Sequence, residues 1–364
     1  MGMKKEGWKN YGYELCFLFL TVVLGSAGLW QSVTVVKELP EIVEWYDRDG
    51  YTFSDRQLLK LSKSTQTGFY VQSERVVEDE ILHGAEEMTI RWADAEYFKW
   101  TDMPLETGRW PQKSREAVVS DTWALEHYKS LHVDGQRVII GGQGCRISGV
   151  YSTGSWRRQL ADDGAPVVYL SFQSNDLPME YDMHYLYFEK KGRDFQMNRQ
   201  YLEDTVAVVT GIRVSPDISL DMESVRHVCR QNHVIGILLW LLFTAAVLGS
   251  RGRGSKAFRA LLLAVCAVVT VCYQWYVPMD YRTGNVFDFA GYIRQYIQGQ
   301  NLRHLYQESG YFGNLASIHI WISWGLIGLE LAAALYAAAG RLCLQMTGDG
   351  KKKRKKSTGR FREM

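Results

Sequence analysis

The sequence predicts a membrane protein with four transmembrane α-helices and one α+β extracytoplasmic domain inserted between helices 1 and 2. Apolar residues are concentrated in four separate blocks, and tryptophan and tyrosine cluster near the ends of these blocks. A helix needs about 20 apolar residues to cross the hydrocarbon core of a bilayer. Aromatic rings with a polar edge favour the headgroup region, so their clustering is a second membrane signal.

The first apolar block begins at Tyr13 and ends at Val36. It is long for the apolar region of a signal peptide, and no small-residue cleavage motif closes it, so we interpret it as an uncleaved anchor. We predict a cytoplasmic N terminus (1–12), a first span (13–36), the domain (37–229) and a second span (233–249). A short loop (250–256), a third span (257–277), an extracytoplasmic segment (278–315), a fourth span (316–344) and a basic tail (345–364) follow.

Basic residues set the predicted orientation. Lysines precede the first block, Arg251, Arg253 and Lys256 lie between the second and third, and Lys351 to Lys356 follow the fourth. Lys and Arg near span ends stay on the cytoplasmic side, and four spans satisfy all three groups at once. We therefore predict a multi-pass protein of the plasma membrane with both termini cytoplasmic. The tail would attract anionic headgroups by about 1 kcal/mol per basic residue near the surface.

The sequence carries none of the enzyme signatures that we sought. The stretch Gly141 to Gly144 lacks the Lys and Ser/Thr of a phosphate-binding loop, and no HExxH or GxSxG occurs. We therefore predict no enzyme, catalytic residue, cofactor or metal, although a hydrolytic site assembled from distant residues stays open.

The net charge of +2 gives no reason to expect nucleic acid as a partner. Cys145 and Cys229 lie in the polar middle, as buried thiols or as a disulfide.

Glu330 lies near the middle of the fourth block. An ionised carboxylate there costs several kcal/mol unless it faces protein or is protonated. Two interpretations stay open: a polar contact with a neighbouring helix or partner subunit, or a carboxylic acid that forms hydrogen bonds within the bundle. A proton relay would require further acidic or histidine partners in the other spans, and we identify none.

The polar middle alternates between strand and helix signals. Ser54 to Gln57 form a capping box, which predicts a following helix, and Asp121 is predicted to cap another. A third helix is predicted from Phe195 to Val208. Strands are predicted in 69–77, 87–92, 116–120, 137–152, 166–172, 183–190 and 211–215. This mixture predicts an α+β domain of two lobes. The segment 278–315 contains an amphipathic helix that lies on the outer membrane surface or packs on the main domain.

The residues from Thr89 to Val150 form an ordered series of motifs. The series is Glu96-Tyr97-Phe98, Leu105 to Trp110, Glu116 to Ser120, Val133 to Val138, and Cys145 to Val150. It resembles the periplasmic core domain of the MacB-like/FtsX-like ABC transporter permeases. The matching residues have structural roles: Gly108 allows a tight turn, Arg109 would pin it, and Asp134-Gly135 sets a hairpin entry.

The resemblance implies a permease-like subunit that couples an ATPase to the extracytoplasmic domain. The ATPase would be a separate chain, and a second permease-like subunit or a homodimer would complete the assembly. This sequence departs from the family in the loop 250–256, which is short where the family carries a coupling helix. Arg251, Arg253 and Lys256 would be the available coupling contact. The alternative is a degenerate envelope scaffold or binding protein without ATP coupling. A membrane-anchored hydrolase is a third hypothesis.

Overall fold

The computed structural model describes residues 23–332 and 335, apart from 25, 29, 32, 80–83, 156–165, 173–179, 191–194 and 249–309. The chain divides into two compact units. The sheet unit comprises Leu39–Val225 and Ile297–Ile318, and the helical unit comprises Met1–Glu38, Arg226–Tyr296 and His319–Met364.

The described elements follow one another as strands with interspersed helices. The strands are β1 Ile42–Tyr46, β2 Thr67–Asp79, β3 Ala85–Ala93, β4 Leu105–Gly108, β5 Glu116–Ser120, β6 Arg137–Ile140, β7 Gln143–Tyr151, β8 Val167–Ser171, β9 Tyr185–Glu189 and β10 Ile218–Asp221. The helices are α1 within 23–38, α2 Asp55–Ser64, α3 Ala95–Thr101, α4 Asp121–Tyr128, α5 Phe195–Thr210, α6 Met222–Leu248 and α7 Tyr311–Ala332.

Six strands of the sheet unit pair in a closed circuit. The order is β2, β3, β8, β5, β7 and β6, and β6 returns to pair with the last residues of β2. The β3–β8 and β5–β7 pairs are parallel, and the others are antiparallel. A closed sheet buries the side chains that point inward on every strand. Val71, Ile90, Val119, Ile147 and Val168 are at most 1% exposed and belong to this core.

A three-stranded extension continues from the start of β2. Residues Thr67 to Phe69 pair with β9, β9 pairs with β1, and β1 pairs with β10. The 13-residue β2 therefore belongs to both parts, because its remaining length pairs with β3. The ten strands form one connected sheet, in which the closed circuit and the extension share β2.

Short polar side chains begin the helices of the sheet unit. The Gln57 side chain accepts from the Ser54 backbone N–H at 2.8 Å, so the predicted capping box precedes α2. Asp94 caps α3 by accepting from the Tyr97 amide at 2.9 Å. The expectation that Asp121 caps α4 is wrong, because the Ser120 hydroxyl accepts from the Trp123 amide at 3.1 Å. Asp121 instead accepts from Thr153.

Three further predictions for the domain concern a strand, a disulfide and a helix. Residues 211–215 form no strand, and the last strand of the described sheet is β10. Strand β1 was not predicted. Cys145 and Cys229 are both buried and form no disulfide, so the disulfide alternative is wrong. The helix predicted from Phe195 to Val208 is observed as α5.

The described part of the chain has one helix that is long and apolar enough to cross a membrane, which is α7. Its start at Tyr311 precedes the predicted fourth span by five residues. Helix α6 contains the predicted second span through Leu248, and α1 contains the end of the first. The third span, the loop 250–256, most of 278–315 and the tail lie outside the described residues, so four spans remain a prediction.

The close packing of Gly108, at the end of β4, can be tested by its effect on stability. Gly108 has a φ of +75°, and an added Cβ would lie 2.2 Å from the Ser148 carbonyl oxygen. Gly142 has a φ of +81° but no atom within 4 Å of such a Cβ. We expect Gly108→Ala to lower the free energy of unfolding by at least about 2 kcal/mol more than Gly142→Ala does. Chemical denaturation of the detergent-solubilised chain measures the difference, and equal losses would contradict the packing argument.

Candidate functional site

The chain enters and leaves the sheet unit through one pair of strands. Strand β1 begins four residues after α1 ends, and β10 ends at Asp221, directly before α6 begins at Met222. The two strands pair antiparallel, from Val43 opposite Asp221 to Tyr46 opposite Ile218. We call the junction the set formed by β1, β10, Lys190, residues 222–225 and residues 310–313. All of these residues belong to the sheet unit.

A buried ion cluster holds the start of α6. The Lys190 ammonium lies 2.7 Å from Asp221 and 2.6 Å from Glu223, and the Lys190 and Asp221 side chains are 5% and 2% exposed. Asp221 also accepts from the Glu223 amide at 3.0 Å, which caps the first turn. Burial disfavours the charged ammonium, but the attraction of Asp221 and Glu223 outweighs it and raises the pKa of Lys190.

Lys190 joins this cluster to β1 through its own backbone. Its amide donates to the Glu41 carbonyl at 2.9 Å, directly before β1, and it follows β9, which pairs with β1. The side chain and backbone of one residue therefore contact both the chain that leaves α1 and the chain that enters α6.

Glu44 of β1 binds the first residues of α7. Its Oε1 accepts from the Gly310 amide at 3.1 Å, and the Phe312 and Gly313 amides favour its ionised form. The first backbone N–H groups of a helix have no partner inside the helix and carry partial positive charge, so a carboxylate there stabilises the helix start. Glu44 is 1% exposed, and its Oε2 has no hydrogen-bond partner among the described residues.

Burial dominates the protonation of this carboxyl group. The loss of hydration raises the pKa of Glu44 from its ordinary value of 4.5 to about 8, although the three amides favour the ionised form. The carboxyl at this contact therefore changes charge near neutral pH.

Aromatic side chains surround the same contact. Phe312 is fully buried and lies edge-on to Tyr187 of β9, with ring centroids 5.4 Å apart. The Tyr311 hydroxyl donates to the Thr101 carbonyl at the end of α3 at 3.3 Å. A buried Phe contributes about 1.5–3 kcal/mol by apolar burial, so this packing fixes residues 311–312 on the sheet independently of Glu44.

Several directional contacts hold the junction residues together. The segments adjoining α1, α6 and α7 are joined by strand pairing, one ion cluster and one helix cap, within a few residues of β1. Each of these contacts is directional and short, so a displacement of one segment strains the others. The described junction residues include no pair of nucleophile and base. Among the described residues, no group of three or more His, Cys, Asp or Glu side chains could hold a metal ion.

The structure brings the four motif residues together on one side of β7. Gly108 packs against Ser148 and Gly149, and the Asp134 carboxylate lies beside it, 2.9 Å from the position of an added Cβ. Arg109 binds Glu116 through two N–H groups, at 2.8 and 2.6 Å, and lowers the pKa of that carboxyl to about 2. Gly135, with a φ of +88°, donates to the Ile147 carbonyl at 2.8 Å.

The other candidate residues fall elsewhere. Arg251, Arg253 and Lys256 lie outside the described residues, so their proposed role in coupling has no structural description. Glu330 belongs to the helical unit, where its carboxyl lies against Gly236 of α6.

Sequence reasoning missed Glu44 and Lys190. Glu44 interrupts an otherwise apolar run, Ile42-Val43-Glu44-Trp45-Tyr46, and a charge in a run of this kind suggests exposure. Its partner amide is 266 positions away in the chain. The available signal was the short strand pattern after Pro40, in which a charged residue alternates with buried apolar neighbours.

Comparisons with known proteins give one matching family model and several similar solved structures. The family model described as the MacB-like periplasmic core domain matches residues 21–220. Among solved structures, the periplasmic region of MacB from Actinobacillus actinomycetemcomitans is 12% identical, with a TM-score of 0.39, and 51% of this chain and 90% of that chain are covered. The extracellular domain of the noncanonic ABC-type transporter YknZ from Gram-positive bacteria is 14% identical, with a TM-score of 0.35, over 47% and 94%. No curated protein matches significantly.

The ion cluster predicts a large stability effect at Lys190. Lys190→Met keeps the apolar stem but leaves two carboxylates close together without their cation, so we expect a loss of about 3–5 kcal/mol in the free energy of unfolding. Lys99→Met is the matched control, because Lys99 forms an ion pair of 2.9 Å with Glu96 while 61% exposed, and should cost less than about 1 kcal/mol. Urea denaturation followed by tryptophan fluorescence measures both, and a small loss at Lys190 would show that the cluster is not stabilising.

The Glu44 carboxyl predicts a pH-dependent difference in stability. Between pH 4.5 and about 8 the folded protein keeps a proton on Glu44 that the unfolded chain has lost. Stability therefore falls as the pH rises through this window, by on the order of 1 kcal/mol per pH unit. Glu44→Gln removes this titration, so wild type should lose stability relative to the variant across the window and not above it. Parallel stability profiles for the two proteins would exclude this role of Glu44, since the other carboxyls cancel in the comparison.

Proposed function

Because this chain belongs to the MacB-like periplasmic core domain family, we propose that it is a permease-like transmembrane subunit of an ABC-type complex. In this proposal the subunit transmits motion between a separate ATPase and the extracytoplasmic domain, for export or for mechanical work on an envelope partner. The family is a permease-type component of ABC transporters and is membrane-embedded with a periplasmic domain. The domain of this chain is an α+β domain of that kind.

The observation that carries the proposal is the junction. A transmitter of motion needs firm contacts among the segments that lead to its helices. Here Glu44 of β1 accepts from the Gly310 amide directly before α7, and β1 pairs with β10, which leads into α6. Within the sheet unit, a shift in any one of these segments would be passed to the others through these hydrogen bonds.

The proposed topology follows from charge rather than from the described helices. We propose four spans, with both termini and the loop 250–256 in the cytoplasm and the sheet unit outside. The proposed partners are the lipid bilayer, a separate ATPase, and a second permease-like subunit or a second copy of this chain.

A scaffold without ATP coupling is the second candidate. The observation that favours it is the loop 250–256, Ser-Arg-Gly-Arg-Gly-Ser-Lys, which is too short to form the coupling helix that the family resemblance implies. In this alternative the same architecture would hold or bind an envelope component without transmitting force.

Two arginines distinguish the candidates. The double variant Arg251→Ala/Arg253→Ala should abolish co-purification of an ATPase with the detergent-solubilised chain if this loop is the coupling contact. The double variant Arg360→Ala/Arg362→Ala removes the same charge from the tail and should retain the ATPase. Quantitative mass spectrometry of the purified complexes gives the ratio of ATPase to this chain.

The scaffold predicts a different pattern in the same experiment. No ATPase would be enriched with the wild-type chain, and deletion of candidate ATPase genes would leave its phenotype intact. That pair of results would sink the transmitter proposal.

A further inference from the structure

The interior of the helical unit contains buried polar side chains. Gln31 of α1, Asn232 of α6, and His319, Ser323 and Glu330 of α7 are each at most 9% exposed. Polar groups within membrane spans are costly and are usually associated with function. The expectation that the other spans contain no acidic or histidine residue is wrong, because His233 lies within the predicted second span. His319 lies in the fourth span with Glu330, and Glu38 lies just beyond the first.

Most of these polar groups have partners inside the bundle. The Gln31 amide donates to the His319 carbonyl at 2.7 Å, and the His319 ring lies 3.0 Å from the Glu38 carboxylate. One turn further along α7, the Ser323 hydroxyl accepts from Asn232 at 2.7 Å. These bonds join α1, α6 and α7 near the start of α7.

Glu330 lies two turns beyond Ser323, about 10 Å further along the helix axis. A Cβ added to Gly236 of α6 would lie 2.0 Å from its Oε2, so the carboxyl group occupies the space that the missing side chain leaves. Gly28 of α1 makes similar room for His233, whose Nε2 would lie 1.7 Å from an added Cβ. Two glycines thus accommodate two titratable side chains between the helices.

The Glu330 carboxyl is buried, and its Oε2 has no hydrogen-bond partner among the described residues. Several other titratable groups of these helices bind elsewhere: Glu38 binds His319, Arg226 donates to the Val36 carbonyl, and Cys229 bonds Ser323. No cation of the described helices pairs with Glu330, and an isolated ionised carboxylate in such a position costs several kcal/mol.

We propose that Glu330 is a proton-binding site of the helical unit, protonated while it packs against Gly236 and deprotonated when α6 and α7 separate there. Binding forms one O–H bond with a proton taken from water and removes one negative charge from the bundle. Release returns that proton to water and leaves a carboxylate that requires hydration. Because the neutral form fits the closed packing and the charged form does not, separation of the two helices is linked to proton release.

This linkage makes the separation of α6 and α7 depend on the local pH rather than on nucleotide hydrolysis. It does not depend on an ATPase, and it applies to the transmitter and to the scaffold alike. A rise in local pH would favour separation of α6 and α7, and a fall would favour the packed state.

A hydrophobic carbodiimide tests the proposal directly. Dicyclohexylcarbodiimide reacts with protonated carboxylic acids in apolar surroundings, and mass spectrometry locates the modified residue. With the full chain in lipid vesicles, we expect labelling at Glu330 that declines as the pH is raised from about 5 to about 9. Glu330→Gln should lose this label, and Glu38→Gln should keep it.

Absence of label at Glu330, or labelling that does not change with pH, would overturn the proposal even if the Gln variant failed to fold. A second measurement uses thermal unfolding of wild type and Glu330→Gln at each pH. Wild type should lose stability relative to the variant as the pH rises, because only wild type must release a proton. The ATPase ratio described above is measured independently, so failure of this site leaves the proposed function untouched.

Discussion

Glu44 provides the constraint on which the arrangement of the sheet unit's junction depends. Its carboxyl is buried, yet it accepts from the Gly310 amide, directly before α7. A buried acceptor of this kind is costly unless its donors stay in place, so the strand and the helix start are held together. Because β1 also pairs with β10, the same residue lies beside the entry to α6. The Lys190 cluster adds a second, charged connection at that point.

Local signals in the sequence predicted much of the domain. The Ser54–Gln57 pair caps α2 because both partners lie within one turn, and the alternating residues of β2 and β3 face a closed interior. The sequence could not show that Ser120 rather than Asp121 caps α4, because both residue types cap helices and the position at which β5 ends decides between them. Glu44 and Lys190 could not be identified locally, because their partners are distant in sequence and their charge suggests a surface position.

The same limit applies in the helical unit, with a different cause. Hydropathy averages over a window, so single histidines and small residues inside an apolar block leave little trace. Gly28 and Gly236 appear as neutral positions in such a window, yet their missing side chains are what make room for His233 and Glu330. The contact is a property of helix pairs, and which helices pair is not encoded in the composition of either. Charge placement at span ends is a separate signal, and it alone supports the orientation proposed for the chain.

The closed circuit of six strands restricts how another protein can bind this domain. Peptides are often recognised by adding a strand to an open sheet edge, where unpaired backbone groups await a partner. In the described sheet, the strands at the two ends of the pairing order are β10 and β4. The pairing of β4 with β7 is irregular, with a register shift between Leu105 and Thr107, which makes β4 a poor template. An extended ligand would thus be directed toward β10, beside the residues that lead into α6.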